Sequence, residues 1–441
     1  MKRVLKTIVA VVSLVALGAP SFAQDTLKLT LQDALEIALS ENLTVKVADM
    51  EIKRTEYAKK GTYASLFPQI DFSFNYQGSI KKQTMYMGDQ AFQIGRNHTW
   101  STGFSLGMPL VNVPLWKSLK ITGMDVELSV EKARASRQDL VDQIKQTFYT
   151  TLLANDSYEV YKENYENTLE DLEDVKKKYE NGKAAKFDLI RAEVNVQNAM
   201  PSMYDAQNSV TLCLWKLKAL MGVDLNLNVT CVGNLADYKD ELVGADMHSS
   251  VDLTNNSTLK QLDIQREMLQ KSHEINIAKY FPSLNLSMSY QWMAMDETMK
   301  FSNYIWNPYS TAAVSLAIPI FSGGQRFHAI KQTKVQKQQL DFQIENAQRE
   351  LEVGVRSAMS SMQTCKEQHI AAAKSIEGAE AGYEIAQKRY EIGSGTLLEL
   401  NDAQLALLQA RLYVNQSIYN YLVAKSTLEK LLGVDAPATI K

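Results

Sequence analysis

The chain has 441 residues, of which 45% are hydrophobic and 22% charged, the balance of a folded protein with room for two or three domains. Its formal charge of −3 provides no basic surface for nucleic acid. Three scattered cysteines, Cys213, Cys231 and Cys365, are too few for a disulfide scaffold. We expect buried thiols, with a bridge between Cys213 and Cys231 as the minor alternative.

The first 23 residues have the pattern of a secretory signal peptide. Three basic side chains precede an apolar run over residues 8–17, and small side chains stand at Ser21 and Ala23. The apolar run is too short to span a bilayer as a stop-transfer helix. The sequence therefore predicts that the chain is exported, and no cysteine follows the cleavage site to carry a lipid anchor.

Apolar and polar residues alternate in two pairs of segments, at 69–111 and 282–321. Each pair follows an amphipathic helix, at 31–64 and at 258–279 respectively. Each helix ends at a Phe-Pro pair, which cannot continue it. Alternation over about 10 residues predicts strands long enough to cross a membrane, with one apolar and one polar face. The apolar face carries Ile70, Phe72, Phe74 and Tyr76 in the first repeat and Leu284, Leu286, Met288 and Tyr290 in the second.

A half-buried strand in a water-soluble sandwich would show the same alternation. Membrane strands are favoured because the polar face is small and almost uncharged, and because aromatic residues cluster at the segment ends. The loops between the strands, at 78–98 and 293–308, are long and polar. Four strands cannot close a barrel, and open edges in lipid leave backbone groups unsatisfied. We therefore expect an oligomer, in which two chains give a filled barrel and three give a lumen.

Two long helices follow the strand pairs, at 116–180 and 325–391, and would reach roughly 95 to 100 Å. Apolar residues recur at alternating spacings of three and four, which predicts coiled-coil seams with the return helices at 188–222 and 397–433. The seam positions are Tyr158, Tyr161, Tyr165, Thr168, Leu172, Val175 and Tyr179, and in the second copy Ile376, Ala379, Tyr383, Ala386 and Tyr390.

The chain is a duplicated half-protein. The stretch "YENGKAAKFDLIRAE" at 179–193 matches "YEIGSGTLLELNDAQ" at 390–404, and "LKALMGV" at 217–223 matches "LEKLLGV" at 428–434, both at the same offset. A solenoid would repeat about every 20 to 50 residues instead. We expect repeats at 24–223 and 257–441, separated by a polar segment at 224–256 that forms a collar.

The signal peptide, the two strand pairs and the paired glycine turns together resemble the TolC-like outer-membrane efflux proteins. That resemblance implies a mixed membrane β-barrel plus long α-helical coiled-coil barrel. Four strands per chain would form a 12-stranded barrel in a homotrimer, with a periplasmic α-barrel tunnel below it. It also implies the outer membrane of a Gram-negative bacterium, with outer-membrane lipid around the barrel.

The function implied by the resemblance is the exit channel of a tripartite efflux or type I secretion system. Its partners would be a periplasmic adaptor and an inner-membrane pump of the RND, ABC or MFS type. No cofactor is implied, and the sequence does not identify the exported molecule.

The helices reverse at Gly182 and Gly393, where glycine can adopt the positive φ of a turn. In the family these tips form the periplasmic entrance. The resemblance places Asp188, Glu399 and Asp402 at the entrance, with Tyr179 and Tyr390 beside it. It also implies that Glu399 and Asp402 can bind divalent cations. Helix capping is the alternative for the acidic residues, because Thr396 to Glu399 is a capping box.

One position departs from the family pattern. Gly395 stands where an arginine ties neighbouring helices together in the family, whereas the corresponding tyrosine is present as Tyr390. We expect a differently built link at the tip, supplied by Lys183, Lys186 or Arg191 of the first repeat.

No catalytic motif is present, and the five histidines have no metal-ligand spacing, so an enzyme is not expected. Two alternatives to an exit channel remain. A general diffusion porin would need strands throughout, and an exported coiled-coil structural or adhesion protein would leave the strand pairs without a role.

Overall fold

The computed structural model describes residues 27–242 and 251–435. The predicted signal peptide at 1–23 lies outside these residues. The first repeat contains β1 (Leu27–Leu29), α1 (Leu31–Glu41), α2 (Leu43–Ala64), β2 (Gln69–Gly78), β3 (Gln83–Met87), β4 (Gln90–Ile94), β5 (His98–Val111), α3 (Val113–Glu180) and α4 (Lys186–Met221). Next come β6 (Val229–Cys231) and a short 3₁₀ segment (Leu235–Leu242). The second repeat contains α5 (Ser257–Ala278), β7 (Ser283–Asp296), a 3₁₀ turn (Phe301–Asn303), β8 (Asn307–Ala317), α6 (Gln325–Glu391) and α7 (Leu397–Leu431).

The first amphipathic helix is broken, where the sequence predicts one helix over 31–64. Asn42 has an extended ψ of 129°, and its side chain accepts a hydrogen bond from the Thr44 N–H at 2.7 Å. Asn42 therefore ends α1 and caps α2, because its short amide satisfies a backbone donor that the new helix leaves free.

Two further differences concern the strands. The second strand pair ends at Ala317 rather than at 321, and Pro319 has no N–H to donate to a sheet. The loop predicted at 78–98 folds into the hairpin β3–β4, with Met85 opposite Phe92. The alternation there is short and interrupted by polar residues, so the sequence gives a weak signal for it.

The four long strands form one antiparallel sheet in the order β2-β5-β7-β8. Phe104 lies opposite Phe72 on one side and Tyr290 on the other, so the apolar residues share one face. Within the chain this face is uncovered, with Ile70 66% and Val314 60% exposed. The face therefore has the character of a lipid-facing surface, and β2 and β8 remain edge strands.

The long helices form two hairpins, α3–α4 and α6–α7, and α3 also packs against α7. With 68 residues in α3 and 67 in α6, each extends about 100 Å. None of the helices in the described part of the chain is both long and apolar enough to cross a membrane.

The heptad pattern is observed in α6. From 376 to 390, the side chains that are not exposed are the predicted Ile376, Ala379, Tyr383, Ala386 and Tyr390. In α3 the seam buries Thr168 and Val175, but Tyr179 is 39% exposed because no helix of the same chain covers it.

The largest buried core lies beside the middle of the long helices. Leu29 of β1, Phe148 of α3, Leu217 of α4 and Tyr421 of α7 meet there and are almost fully buried. The parallel pair β1–β6 and the 3₁₀ segment Leu235–Leu242 pack on this core.

The cysteines are free thiols. Cys231 and Cys365 are buried, as expected, and Cys213 is half-buried. Burial raises the pKa of the Cys231 thiol to about 12, so it is un-ionised at neutral pH. The alternative of a bond between Cys213 and Cys231 is not realised.

Replacing Gly433, which directly follows the last turn of α7, should destabilise the protein more than replacing Gly182. Gly433 has φ +72°, and a Cβ there would lie 2.2 Å from the Asn255 carbonyl oxygen, whereas a Cβ on Gly182 (φ +71°) would meet nothing within 4 Å. Gly182→Ala should cost about 1–2 kcal/mol for the left-handed conformation alone. Gly433→Ala should add about 1–3 kcal/mol of overpacking. Tm of the purified protein should fall further for Gly433→Ala, and equal Tm values would contradict the contact.

Candidate functional site

Both hairpins reverse through glycines at their tips. Gly182 and Gly393 have φ values of 71° and 76°, which is the positive φ expected from the sequence. The Gly182 N–H donates to the Tyr179 carbonyl at 2.9 Å, and the Gly393 N–H donates to that of Tyr390 at 3.2 Å. Each turn therefore satisfies carbonyls that the end of a helix leaves without partners.

Gly395 is required for a different reason. Its φ is not positive, but a Cβ there would lie 3.0 Å from the Arg389 Cβ and 3.2 Å from the Tyr390 nitrogen. The Gly395 N–H also donates to the Arg389 carbonyl at 2.9 Å. A side chain as large as arginine at this position would push the turn away from the end of α6.

The acidic residues beside the turns cap the return helices. Glu399 and Thr396 form the capping box, with both hydrogen bonds at 3.2 Å. Asp188 makes half of such a box, accepting from the Ala185 N–H at 3.4 Å, because alanine has no side-chain acceptor. Capping does not remove either carboxylate from the tip, since the first turn of each return helix lies at the reversal.

Glu399 and Asp402 lie one turn apart on α7, and both are exposed. The Glu399 Oε2 atom is also 3.6 Å from the Arg389 Nη2 atom. Among the described residues, no three side chains of the kinds that bind metals lie close enough to hold an ion.

Lys178 connects the two hairpins. Its Nζ atom lies 3.7 Å from the centre of the Tyr390 ring and 3.3 Å from the Tyr390 carbonyl oxygen. The contact combines a cation–π interaction with a hydrogen bond, and it joins the last turns of α3 and α6.

The residues expected to supply this link do not do so within the chain. The side chains of Lys183, Lys186 and Arg191 make no hydrogen bond or ion pair to another described residue. Lys183 and Lys186 lie at or beyond the reversal, whereas Lys178 lies before it and faces α6. A signal was present in the sequence, because Lys178 and Arg389 occupy equivalent repeat positions, each preceding a tyrosine.

An apolar cluster lies directly behind the link. Val175 of α3, Ala192 of α4 and Leu397 of α7 are nearly fully buried, and Tyr390 of α6 packs against them. All four helices of the two hairpins therefore meet at one point. Burial raises the pKa of Tyr390, and the charges of Asp171, Asp188 and Asp174 raise it further, so its ring stays neutral beneath Lys178.

Both halves of the chain match one known protein family. Residues 34–223 and 250–434 match the model of the outer membrane efflux protein family. The chain belongs to this family. The resemblance to TolC-like proteins is thereby confirmed, and the family's location is the outer membrane, with helices that extend into the periplasm.

Individual relatives agree over nearly the whole length. Alkaline protease secretion protein AprF of Pseudomonas aeruginosa is 23% identical over 420 residues, which cover 93% of this chain and 86% of AprF. The probable efflux pump outer membrane protein TtgC of Pseudomonas putida is 24% identical over 427 residues, covering 91% and 82%.

The fold is that of known outer membrane channels. The crystal structure of the Campylobacter jejuni CmeC outer membrane channel superposes with a TM-score of 0.74 at 20% identity, covering 91% of this chain and 85% of CmeC. The four-stranded sheet with long helical hairpins is therefore the fold of this family's channels, and the family is one of channels rather than enzymes.

Replacing Lys178 with methionine should loosen the tip. The change keeps the length of the side chain but removes the cation, and the loss of about 0.5–2 kcal/mol should raise amide exchange at the end of α6 by about 2- to 30-fold. Lys177→Met is the matched control, because Lys177 contacts only Glu173 and Asp174 of its own helix. Equal exchange in the two variants would show that Lys178 does not join the hairpins.

Proposed function

We propose that the chain is the outer membrane exit channel of a tripartite efflux or type I secretion system. It would form a homotrimer gated at the periplasmic hairpin tips. The observation that carries the proposal is the continuity of an open four-stranded sheet with two helical hairpins about 100 Å long, in a member of this family. A sheet of this kind would form part of the wall of a barrel, and the hairpins would form part of the wall of a tunnel below it.

The open sheet supports a trimer. The outer edges of its strands β2 and β8 have no partner strand within the described chain, and its apolar face is exposed. Pairing β2 of one copy with β8 of the next satisfies both edges, as lipid requires. Three copies give twelve strands and a lumen, whereas two give a barrel filled by its own side chains.

The helices support the same assembly. Within the chain, α3 of the first repeat packs against α7 of the second, but α4 and α6 have no comparable contact. Instead α4 exposes an apolar stripe of Phe187, Ile190 and Val194. Ile190 is the repeat equivalent of Asn401, which lies on the face of α7 towards α3. By the same symmetry, α6 of a second copy would pack on α4 beside Ile190, and three copies would close a ring of six hairpins.

The tips would then form an acidic aperture. Three copies would bring together nine carboxylates from Asp188, Glu399 and Asp402, whereas the described residues of one chain include no group of three metal-binding side chains. Within each copy, Lys178 on Tyr390 holds the two hairpins together. Between copies, the equivalent pair is Arg389 with Tyr179 of the next chain, whose ring is uncovered in the single chain.

The names of the relatives indicate the partners. AprF is a protease secretion protein and TtgC belongs to an efflux pump, so related channels serve both kinds of system. We propose a periplasmic adaptor at the tips and an inner-membrane pump of the RND, ABC or MFS type beneath it. The exposed Phe187 and Leu398 at the tips offer such an adaptor apolar contacts.

The test is to extract the mature protein from outer membranes in detergent, determine its mass, and record single-channel currents in planar bilayers. We expect three chains per particle and a small conductance that divalent cations block. Because removing charge weakens cation binding, Glu399→Gln with Asp402→Asn should relieve the block. The control replaces two acids far from the tip, Glu345→Gln with Glu350→Gln, and should leave the block unchanged.

A soluble monomer without conductance would overturn the proposal as a whole. A trimeric pore whose divalent block survives in the tip variant would retain the channel and remove Glu399 and Asp402 from the gate. A large, ungated conductance would indicate a diffusion porin instead.

A further inference from the structure

A group of polar atoms without partners is buried between the two hairpins, behind the tip. Asp171 Oδ2 on α3, and Asn401 Nδ2 and Gln404 Nε2 on α7, are shielded from solvent and hydrogen-bond to none of the described residues. Gln404 is only 6% exposed. Buried polar atoms are nearly always paired, so this cluster is costly in the arrangement observed.

The packing of α3 against α7 places these side chains at one level. The two helices run antiparallel, with Glu163 bonded to Arg411 at 2.6 Å on one side of the cluster and Val175 beside Leu397 on the other. Asp171 lies one turn from Val175, and Asn401 lies one turn from Leu397. The carboxyl group and the amides therefore share the interface where the first hairpin meets the second.

The charges around Asp171 leave its carboxylate uncompensated. Its pKa is raised to about 6, mainly by burial, with the charges of Glu170 and Asp174 adding to the rise and that of Lys178 opposing it. Lys178 is already engaged by Tyr390. From α6 the group faces Tyr383 and Tyr390, whose pKa values are raised by burial. On α7 the side chains near this level are the neutral Asn401 and Gln404, and the nearest cation along that helix, Arg411, is paired with Glu163.

We propose that Asp171 is a proton-operated positioning residue of the gate, whose protonated form keeps the two hairpins packed and whose ionised form loosens them. The inference rests on the proposed function, because it assigns a regulator to that gate. In the arrangement observed neither amide donates to the carboxylate, so ionisation places an unpaired charge at the interface. Separation of the hairpins lets water or the two amides solvate that charge.

The direction of the pH effect follows from the pKa. The value in the packed state, about 6, lies above the ordinary 3.8, so the packed state is most stable below pH 3.8. That stability is lost as pH rises through about 6, where the packed form also gives up the proton. If the open state has the ordinary pKa, the ratio of open to packed tips rises about tenfold between pH 5 and pH 7.

The first measurement is amide hydrogen exchange of residues 397–404 between pH 5 and pH 7, corrected for the intrinsic rate of exchange. In the native protein we expect the corrected exchange to rise about tenfold over this range. Asp171→Asn, which is neutral and has the same shape, should stay at the protected level throughout. Glu173→Gln is the control, since it removes an exposed charge from the same helix and should keep the rise.

Single-channel recording of the same three proteins provides a second readout. The native channel and Glu173→Gln should open more often at pH 7 than at pH 5, and Asp171→Asn should be independent of pH. A rise in exchange that persists in Asp171→Asn would overturn the inference while leaving the channel in place. Absence of any conductance would overturn the proposed function, but the exchange measurement would still decide whether Asp171 controls the packing.

Discussion

The rest of the structure depends on the backbone hydrogen bonds that the four-stranded sheet cannot make by itself. Strands β2 and β8 each leave one row of N–H and C=O groups unpaired, and the apolar face beside them belongs in lipid, where water cannot supply partners. Closure with other copies is the solution that satisfies every edge. Because each sheet strand is joined at one end to a helix of the same chain, closure of the sheet would also arrange the hairpins in a ring.

Duplication means that one chain already contains a version of its contacts with the next. The packing of α3 on α7 is made within the chain, while its repeat equivalent is not, and Ile190 of α4 is exposed where Asn401 of α7 is not. The two versions are not chemically identical. Asn401 and the unpaired Asp171 lie in the internal interface. The equivalent positions in the other repeat are Ile190 and Gly382. The internal contact therefore contains polar side chains that its repeat equivalent lacks.

Much of the fold could be predicted from sequence because it depends on local rules. Alternation identified the sheet strands, heptads identified the α6 seam, and Gly182 and Gly393 marked the reversals through their positive φ. The capping box of Thr396 and Glu399 was equally local. Lys178 and Asp171 could not be found in this way, since their roles depend on which helix lies opposite. Asn42 was missed because a cap inside a continuous amphipathic pattern changes the direction of the helix without changing its periodicity.

The near-equal lengths of α3 and α6, 68 and 67 residues, constrain how such a protein can evolve. A difference of one residue displaces a helix end by only about 1.5 Å, so the two tips end at almost the same level. Lengthening one repeat by a heptad would move its tip by about 10 Å and leave a stepped aperture that no flat partner could seal. For the tunnel to span a wider or narrower periplasm, insertions and deletions in the hairpins must therefore occur in both repeats together. Their lengths must also be whole heptads, so that the seam is preserved.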